Sequence, residues 1–331
     1  MNEHQNFLAF HSDQRREGNI MPKGTSLSAT AINLFFQRKT RADSELGFSI
    51  REFRIKDTKR ILEIRRASLV DEFELFGSDR ESFIGYALLY SLLRLAGRLT
   101  GKTTFRIFVG DICGDIVGIT TLSQRGQSWE ISGVMVDPKY RRRGYGRKLV
   151  SKALEEAKRQ GAEKIHIRVL DKNIPARALY SALGFADFEK VAYFHGDWVD
   201  FSKQPFPAEY EAVELKDSAL HKLFACIFRQ RVAERFSILD FGESVGTLEF
   251  RAGSQGRVLV LALNLHADYR GRELEESLIL NGFRLGHQKG ANRLIVEVNQ
   301  RDTELEEVCK GLNLKLLCIV RGMSRDLTDC C

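Results

Sequence analysis

The chain is predicted to be an α/β protein built from two related domains, each a mixed central sheet flanked by helices, and three features predict it. Along residues 48–200, strand-like runs alternate with amphipathic helical runs, the order of a layered α/β domain rather than of a bundle or a sandwich. The chain also repeats itself. Moved by 129 positions, Asp137 to Val169 lies on His266 to Val298 without a gap, with seven identities in 33 that include Tyr140/Tyr269, Arg141/Arg270, Leu149/Leu278 and Gly161-Ala162/Gly290-Ala291. Finally, the apolar run Val134-Met135-Val136 leads through Asp137 and Pro138 into Arg141-Arg142-Arg143-Gly144-Tyr145-Gly146-Arg147, a basic turn that opens a helix.

The elements follow in order. Residues 1–45 mix charged residues with Ser, Thr and Gly and read as an N-terminal extension with one apolar anchor, Ala31 to Phe36. Phe48 to Ile55 alternates as a strand does, and helical spacing covers Asp57 to Leu69 and about Asp79 to Leu99. Three strand-like runs come next, Thr103 to Val109, Asp115 to Leu122 and Trp129 to Val136, separated by Gly110-Asp111 and Arg125-Gly126. Gly144 to Gln160 sets Leu149, Val150, Ala153, Leu154 and Ala157 on one helical face, and Gly161 supplies the C-cap. Lys164 to Leu170 reads as strand. Asn173 caps another helix, Pro175 fits its first turn, Gly184 closes it and Phe185 begins a further strand. Pro205 and Pro207 punctuate a polar stretch, so the domains are expected at 46–202 and 203–331.

Composition narrows the function classes. With 43% apolar and 29% charged residues, and no run near the ~20 apolar residues of a membrane span, a soluble cytoplasmic protein is expected. The polar start lacks the pattern of a signal peptide. Six cysteines without Cys-x-x-Cys pairs, and seven histidines without ligand spacing, predict reduced thiols and no metal. The net charge of +7 is local: residues 138–168 carry eleven Lys and Arg against three Glu. Charge gathered at one turn favours a compact polyanion over an extended nucleic acid. Backbone amides released by Gly144 and Gly146, the positive end of the helix, and Arg141, Arg142, Arg143 and Arg147 at the rim together make a phosphate cradle.

Here the sequence resembles the GNAT superfamily of N-acyltransferases, which carry Arg/Gln-x-x-Gly-x-Gly/Ala after a strand; Arg141 to Gly146 matches each position, and Asn173, Ala176, Leu179-Tyr180 and Gly184-Phe185 match the second family element. The likeness covers residues 48–200 and returns, worn, over 203–331. The resemblance implies two GNAT-like domains and binding of acetyl-CoA or another acyl-CoA. Its diphosphate would lie on the amides of Arg142 through Arg147, its arm along the backbone of Val134, Met135 and Val136, with Asn173 and Ala176 near the cofactor. Tyr180 falls where the family often places the acid that protonates the departing thiolate; as an alternative it is a core tyrosine.

Glu130 lies fourteen residues before Gly144, at the spacing of the catalytic Glu of histone-type enzymes, and by a period of two shares a face with Ser132, Val134 and Val136. It is a candidate general base for an attacking amine, or else a surface ion-pair partner. His195 reads as a strand-end histidine near the acceptor region. In the second copy Gly144 and Gly146 become Glu273 and Glu275, Glu130 becomes Leu259, Asn173 becomes Asp302 and Tyr180 becomes Cys309. The first copy is therefore expected to transfer an acetyl group from acetyl-CoA to a primary amine of a small molecule or peptide, and the second to be non-catalytic; a CoA-binding sensor without turnover is the alternative.

Overall fold

The computed structural model describes residues 47–68, 104–125, 128–201, 211–215, 234–240, 242–252, 258–270 and 273–328. The N-terminal extension, the helix expected over 79–99 and the stretch around Pro205 and Pro207 lie outside the described residues. The first copy runs β1 (Phe48–Glu52), α1 (Thr58–Ser68), β2 (Phe105–Ile112), β3 (Asp115–Arg125), β4 (Ser128–Val136), α2 (Tyr145–Arg159), β5 (Lys164–Leu170), α3 (Ile174–Ser181), β6 (Ala186–Asp197) and the single turn α4 (Trp198–Phe201). The second runs β7 (Glu211–Glu214), β8 (Glu234–Asp240), β9 (Glu243–Ala252), β10 (Val258–Leu265), α5 (Glu273–Gln288), β11 (Arg293–Asn299), α6 (Thr303–Gly311) and β12 (Lys315–Asp326). The first strand stops at Glu52, short of the predicted Ile55, because a 3-10 turn at Ile55–Asp57 feeds directly into α1.

The offset of 129 carries β5 onto β11 and β6 onto β12 residue for residue. Local chemistry explains why. The Gly-Ala pair ends α2 and α5 identically: Gly161 and Gly290 take φ of 79° and 87°, while Ala162 N–H donates to Ala157 O (3.0 Å) and Ala291 N–H to Gly286 O (2.8 Å). The side chains Asn173 and Asp302 both cap the following helix, accepting from Ala176 N–H (3.2 Å) and Leu305 N–H (3.1 Å). After those helices Gly184 (φ 82°) and Asn313 (φ 56°) supply the left-handed residue, Asn being among the few side chains that tolerate it.

What the repeat does not foretell is that the copies share one sheet. Among the described residues the strand order is β1-β2-β3-β4-β5-β12-β6-β11-β10-β9-β8-β7. Each copy's last strand has crossed to the other: β12 pairs with β5 and β6 with β11, both antiparallel. Leu170 faces Val320 and Asn299 faces Val191, one register displaced by 129. The exchanged strands then pair with each other, with Val191 opposite Val320, its own counterpart, and each strand skips one residue, Phe188 and Leu317, also 129 apart. The sheet centre is thus a local two-fold.

Exchange interlocks the cores. Met323 and Leu327 of the second copy are buried among Trp129, Ile131, Ile167 and Tyr180 of the first, and Phe194 of the first is buried with Leu278, Leu294 and Cys309 of the second. At about 1.5–3 kcal/mol per fully buried large apolar side chain, each half draws a few kcal/mol of core burial from the other's strand. On the opposite face, Ile61 and Ile64 of α1 close a cluster with Phe53, Ile107, Ile119 and Met135.

Candidate active site

The site begins with a fault in β4. Its ladder with β3 runs regularly from Arg125↔Ser128 to Thr121↔Ser132, then shifts, and resumes at Ile119↔Met135. Two residues, Gly133 and Val134, stand opposite the single Thr120, and Gly133 takes a φ of 62°. That is a β-bulge with glycine where a side chain would be strained. Thr121 Oγ1 clasps the bulged strand, donating to Ser132 O at 2.8 Å and lying 2.7 Å from Ser132 Oγ.

The bulge has two effects. Beyond it β4 bends away from β5: the parallel pair holds only from Trp129↔Ile165 to Ile131↔Ile167. Asp137 N–H donates back to Val117 O (2.9 Å) on the β3 side, so alternation turns the backbone groups of Val136 and Val134 toward the parting from β5. The Val136 carbonyl also accepts from Arg141 Nε (3.1 Å) and Ser68 Oγ (3.2 Å). The second effect is a change of face. Trp129 and Ile131 pack with Val134 on the α2 side, whereas Met135 joins the α1 cluster. Glu130 therefore shares its face with Ser132 and Met135, and not with Val134 and Val136 as an unbroken period of two predicts. In the second copy Ala262 replaces Gly133, β9 and β10 pair without a shift, and β10 stays with β11 two residues longer, to Ala262↔Glu297.

The cradle follows β4. Asp137, buried, caps the 3-10 turn Pro138–Tyr140 by accepting from Lys139 N–H (2.9 Å) and binds Arg60 (2.6 Å). Arg142 (φ 64°) and Gly144 (φ 83°) then take left-handed conformations, and α2 starts at Tyr145. Its first backbone bond runs from Lys148 N–H to Gly144 O (3.1 Å), so the amides before it face out of the helix end. A side chain at Gly144 would meet nothing within 4 Å, and one at Gly146 would press on Leu179 at 3.4 Å. Arg141, Arg142, Arg143 and Arg147 are exposed around this turn. Arg143 lies over the Tyr140 ring (5.5 Å), and Arg147 Nη2 reaches Ala182 O (3.4 Å). The Arg141 tie to β4 recurs as Arg270 Nε to Leu265 O at 3.1 Å, which marks it as part of the fold. Tyr145 is buried and stacks on Phe48 at 4.4 Å, anchoring the start of α2. An open helix end, a cradle shaped by left-handed residues and a parted strand pair fit an elongated ligand with a diphosphate; in the second copy buried Glu275 stands where Gly146 does.

Helix α3 joins the cluster that β4 and β5 share on the α2 side. Tyr180 is 5% exposed, in the cluster that holds Val134, Val169, Ala176 and Leu179, and meets Phe185 edge-on at 6.2 Å. Asn173 is exposed and its Oδ1 is spent on the cap. On the opposite face Glu130 lies beside His166 in the β4–β5 ladder. Sequence reasoning passed over His166. Burial first, then Lys164 and Arg168, push its pKa down, and Glu130 opposes them; its Nδ1 is buried without a hydrogen-bond partner among the described residues. Gly133 was also missed, although a lone glycine inside an apolar strand is itself a bulge signal. His195 sits inside β6, between Ile295 and Lys315, and not at a strand end. Among the described residues no three His, Cys, Asp or Glu cluster as metal ligands, and no helix is long and apolar enough to cross a membrane.

Comparison with known proteins bears on family and fold. A profile of the Acetyltransferase (GNAT) family matches residues 74–185. An N-alpha-acetyltransferase of Sulfurisphaera tokodaii is 25% identical over 154 residues, 46% of this chain and 89% of that protein. A thialysine N-epsilon-acetyltransferase of Bos taurus is 34% identical over 71 residues, 22% of this chain but only 42% of its own length. Two solved structures share the fold: a tandem GNAT protein from the clavulanic acid biosynthesis pathway (TM-score 0.62, 15% identity, covering 86% of this chain and 100% of that one) and a GCN5-related N-acetyltransferase from Sphaerobacter thermophilus (TM-score 0.60, 15% identity, 85% and 96%). Residues 74–185 thus match the GNAT acetyltransferase family, and the chain shares the fold of a tandem GNAT protein.

Proposed function

We propose that the first copy is an N-acetyltransferase that takes its acetyl group from acetyl-CoA and gives it to a primary amine, and that the second copy has no turnover of its own. The observation that carries this is the coincidence of the Gly133 bulge, the parting of β4 from β5 and the amide cradle, all in one copy and absent or altered in the other. When bound, acetyl-CoA supplies an activated thioester. The Arg142 to Arg147 amides and the arginine rim hold its diphosphate, Val134 and Val136 align its arm as an added strand would be aligned, and Tyr180 delivers a proton to the leaving sulfur. Glu130 and His166, on the α1 face, orient the amine and accept its proton. The names of the relatives, which place acetyl groups on α- and ε-amino nitrogens, support an amine acceptor.

The test is thiol release from acetyl-CoA across a panel of polyamines, amino acids, aminoglycosides and peptide N-termini, beside calorimetry with CoA. Release with at least one amine is expected, and Tyr180→Phe and Glu130→Gln should each lower kcat about 10²–10⁴-fold at little changed CoA affinity. Binding without release from any amine would instead make the chain a CoA sensor.

A further inference from the structure

The exchanged strand β12 does more than fill a place in the sheet. Its Arg321 binds Asp171 through Nε and Asp187 through Nη1 (2.5 Å), while Arg325 Nη1 donates to Leu183 O (2.6 Å). Asp171 and Leu183 bracket α3, the helix that bears Tyr180 and, at its cap, Asn173. At the leading end Arg177 adds its own contacts, Nη1 lying 3.1 Å from Asp171 Oδ1 and donating to Asp171 O at 3.1 Å. The Arg321 bond, with Arg177 beside it, outweighs burial and holds the Asp171 carboxyl below the usual range. At the trailing end the Arg325 side chain runs beside Gly184, its Nε 3.5 Å from where a Cβ would stand, an ordinary contact.

The repeat provides an internal control. The backbone link is symmetric: Asp171 N–H donates to Ile319 O at 2.8 Å and Gln300 N–H to Lys190 O at 2.8 Å. The two arginine links have no counterpart. The counterparts of Arg321 and Arg325 in β6 are Ala192 and Gly196, and those of Asp171, Asp187 and Leu183 are Gln300, Leu316 and Leu312. Two arginines reach from the second copy to both ends of α3, whereas among the described residues β6 returns to the α6 region apolar packing, Phe194 with Cys309, and the Asn299–Glu189 hydrogen bond (3.5 Å).

We propose that the second copy supplies two positioning residues, Arg321 and Arg325, which set α3 against the parted β4 and β5 so that Tyr180 and the Asn173 turn meet the acyl donor. This rests on the acetyl-CoA reading above. The experiment uses the whole chain and three variants, Arg321→Ala, Arg321→Lys and Arg325→Ala, with Lys289→Ala, which breaks the Lys289–Glu234 pair of the second copy, as the control. CoA affinity by calorimetry, KM for acetyl-CoA against kcat, and amide exchange of residues 174–181 are read together with a melting curve.

Arg321→Ala is expected to melt as one cooperative unit, to bind CoA about tenfold more weakly, to raise KM for acetyl-CoA and to speed exchange in α3; Arg321→Lys recovers part of the loss and Lys289→Ala changes none of these. Should Arg321→Ala fail to fold, Arg325→Ala and Arg321→Lys carry the same comparison. Wild-type affinity, KM and α3 exchange in the arginine variants overturn the brace and leave the acetyl-CoA reading standing. A wild-type chain that binds no CoA overturns both.

Discussion

Replacing Gly133 by the alanine that its counterpart Ala262 carries isolates the bulge. At φ 62° a residue with a Cβ is strained by about 1–2 kcal/mol. Sterics add little, because the new methyl would find Met135 Cε at 3.5 Å and Thr121 Oγ1 at 4.0 Å, ordinary contacts. The strain has two outlets. If β4 keeps its bulge, the whole 1–2 kcal/mol is lost from stability. If β4 slips to the unbroken register of β10, stability recovers, but the bulged form becomes a minor species and CoA affinity falls by up to about 5–30-fold. The free energy of the bulged, ligand-bound chain relative to the unfolded one changes by the same amount either way. The sum of the stability loss, from denaturant unfolding, and the affinity loss, from calorimetry, should therefore come to about 1–2 kcal/mol. Ala262→Gly, in a regular strand, should cost about 0.5–1 kcal/mol of stability and leave affinity alone. A sum for Gly133→Ala within about 0.5 kcal/mol of zero would refute the claim that this glycine sets the bulge.

Two further outcomes are expected. Gly146→Glu, the residue of the second copy, puts a carboxylate at the start of α2 against any diphosphate and should weaken CoA binding at least about a hundredfold while the chain still folds, as measured by calorimetry and melting. In acid, Asp57, Asp137 and Glu156 all have folded-state pKa values below their ordinary ones: burial works against their ionisation but is outweighed by Arg51 and the Arg54 amide for Asp57, by the Lys139 amide and Arg60 for Asp137, and by Arg159 and Gln160 for Glu156. Depressed carboxyl groups stabilise the fold above their unfolded pKa and lose that contribution as pH falls through the folded one. Stability should hold above about pH 5 and drop below about pH 4, less steeply in Asp137→Asn, in urea titrations across that range.

Most of the local architecture was legible. Leu149, Val150, Ala153, Leu154 and Ala157 are buried on one face of α2, Asn173 caps α3 and the cradle opens α2, because helix periodicity, capping and glycine conformation depend on neighbours in the chain. The Gly-Ala pairs at 161 and 290 fell into register for the same reason. Reading Glu130 by an unbroken period of two failed at one residue, since a single inserted position reverses every side chain beyond it.

What the sequence by itself determined, then, is the repeated unit, its helix faces and caps, and the copy that keeps the two-glycine turn before its long helix. Only the tertiary structure decided which strands pair across the centre. Sheet bonds join backbone groups common to all residues, so β12 is as well suited by side-chain pattern to its own copy as to the other. That exchange, and not any motif, is what carries Arg321 to Asp171, 150 positions away.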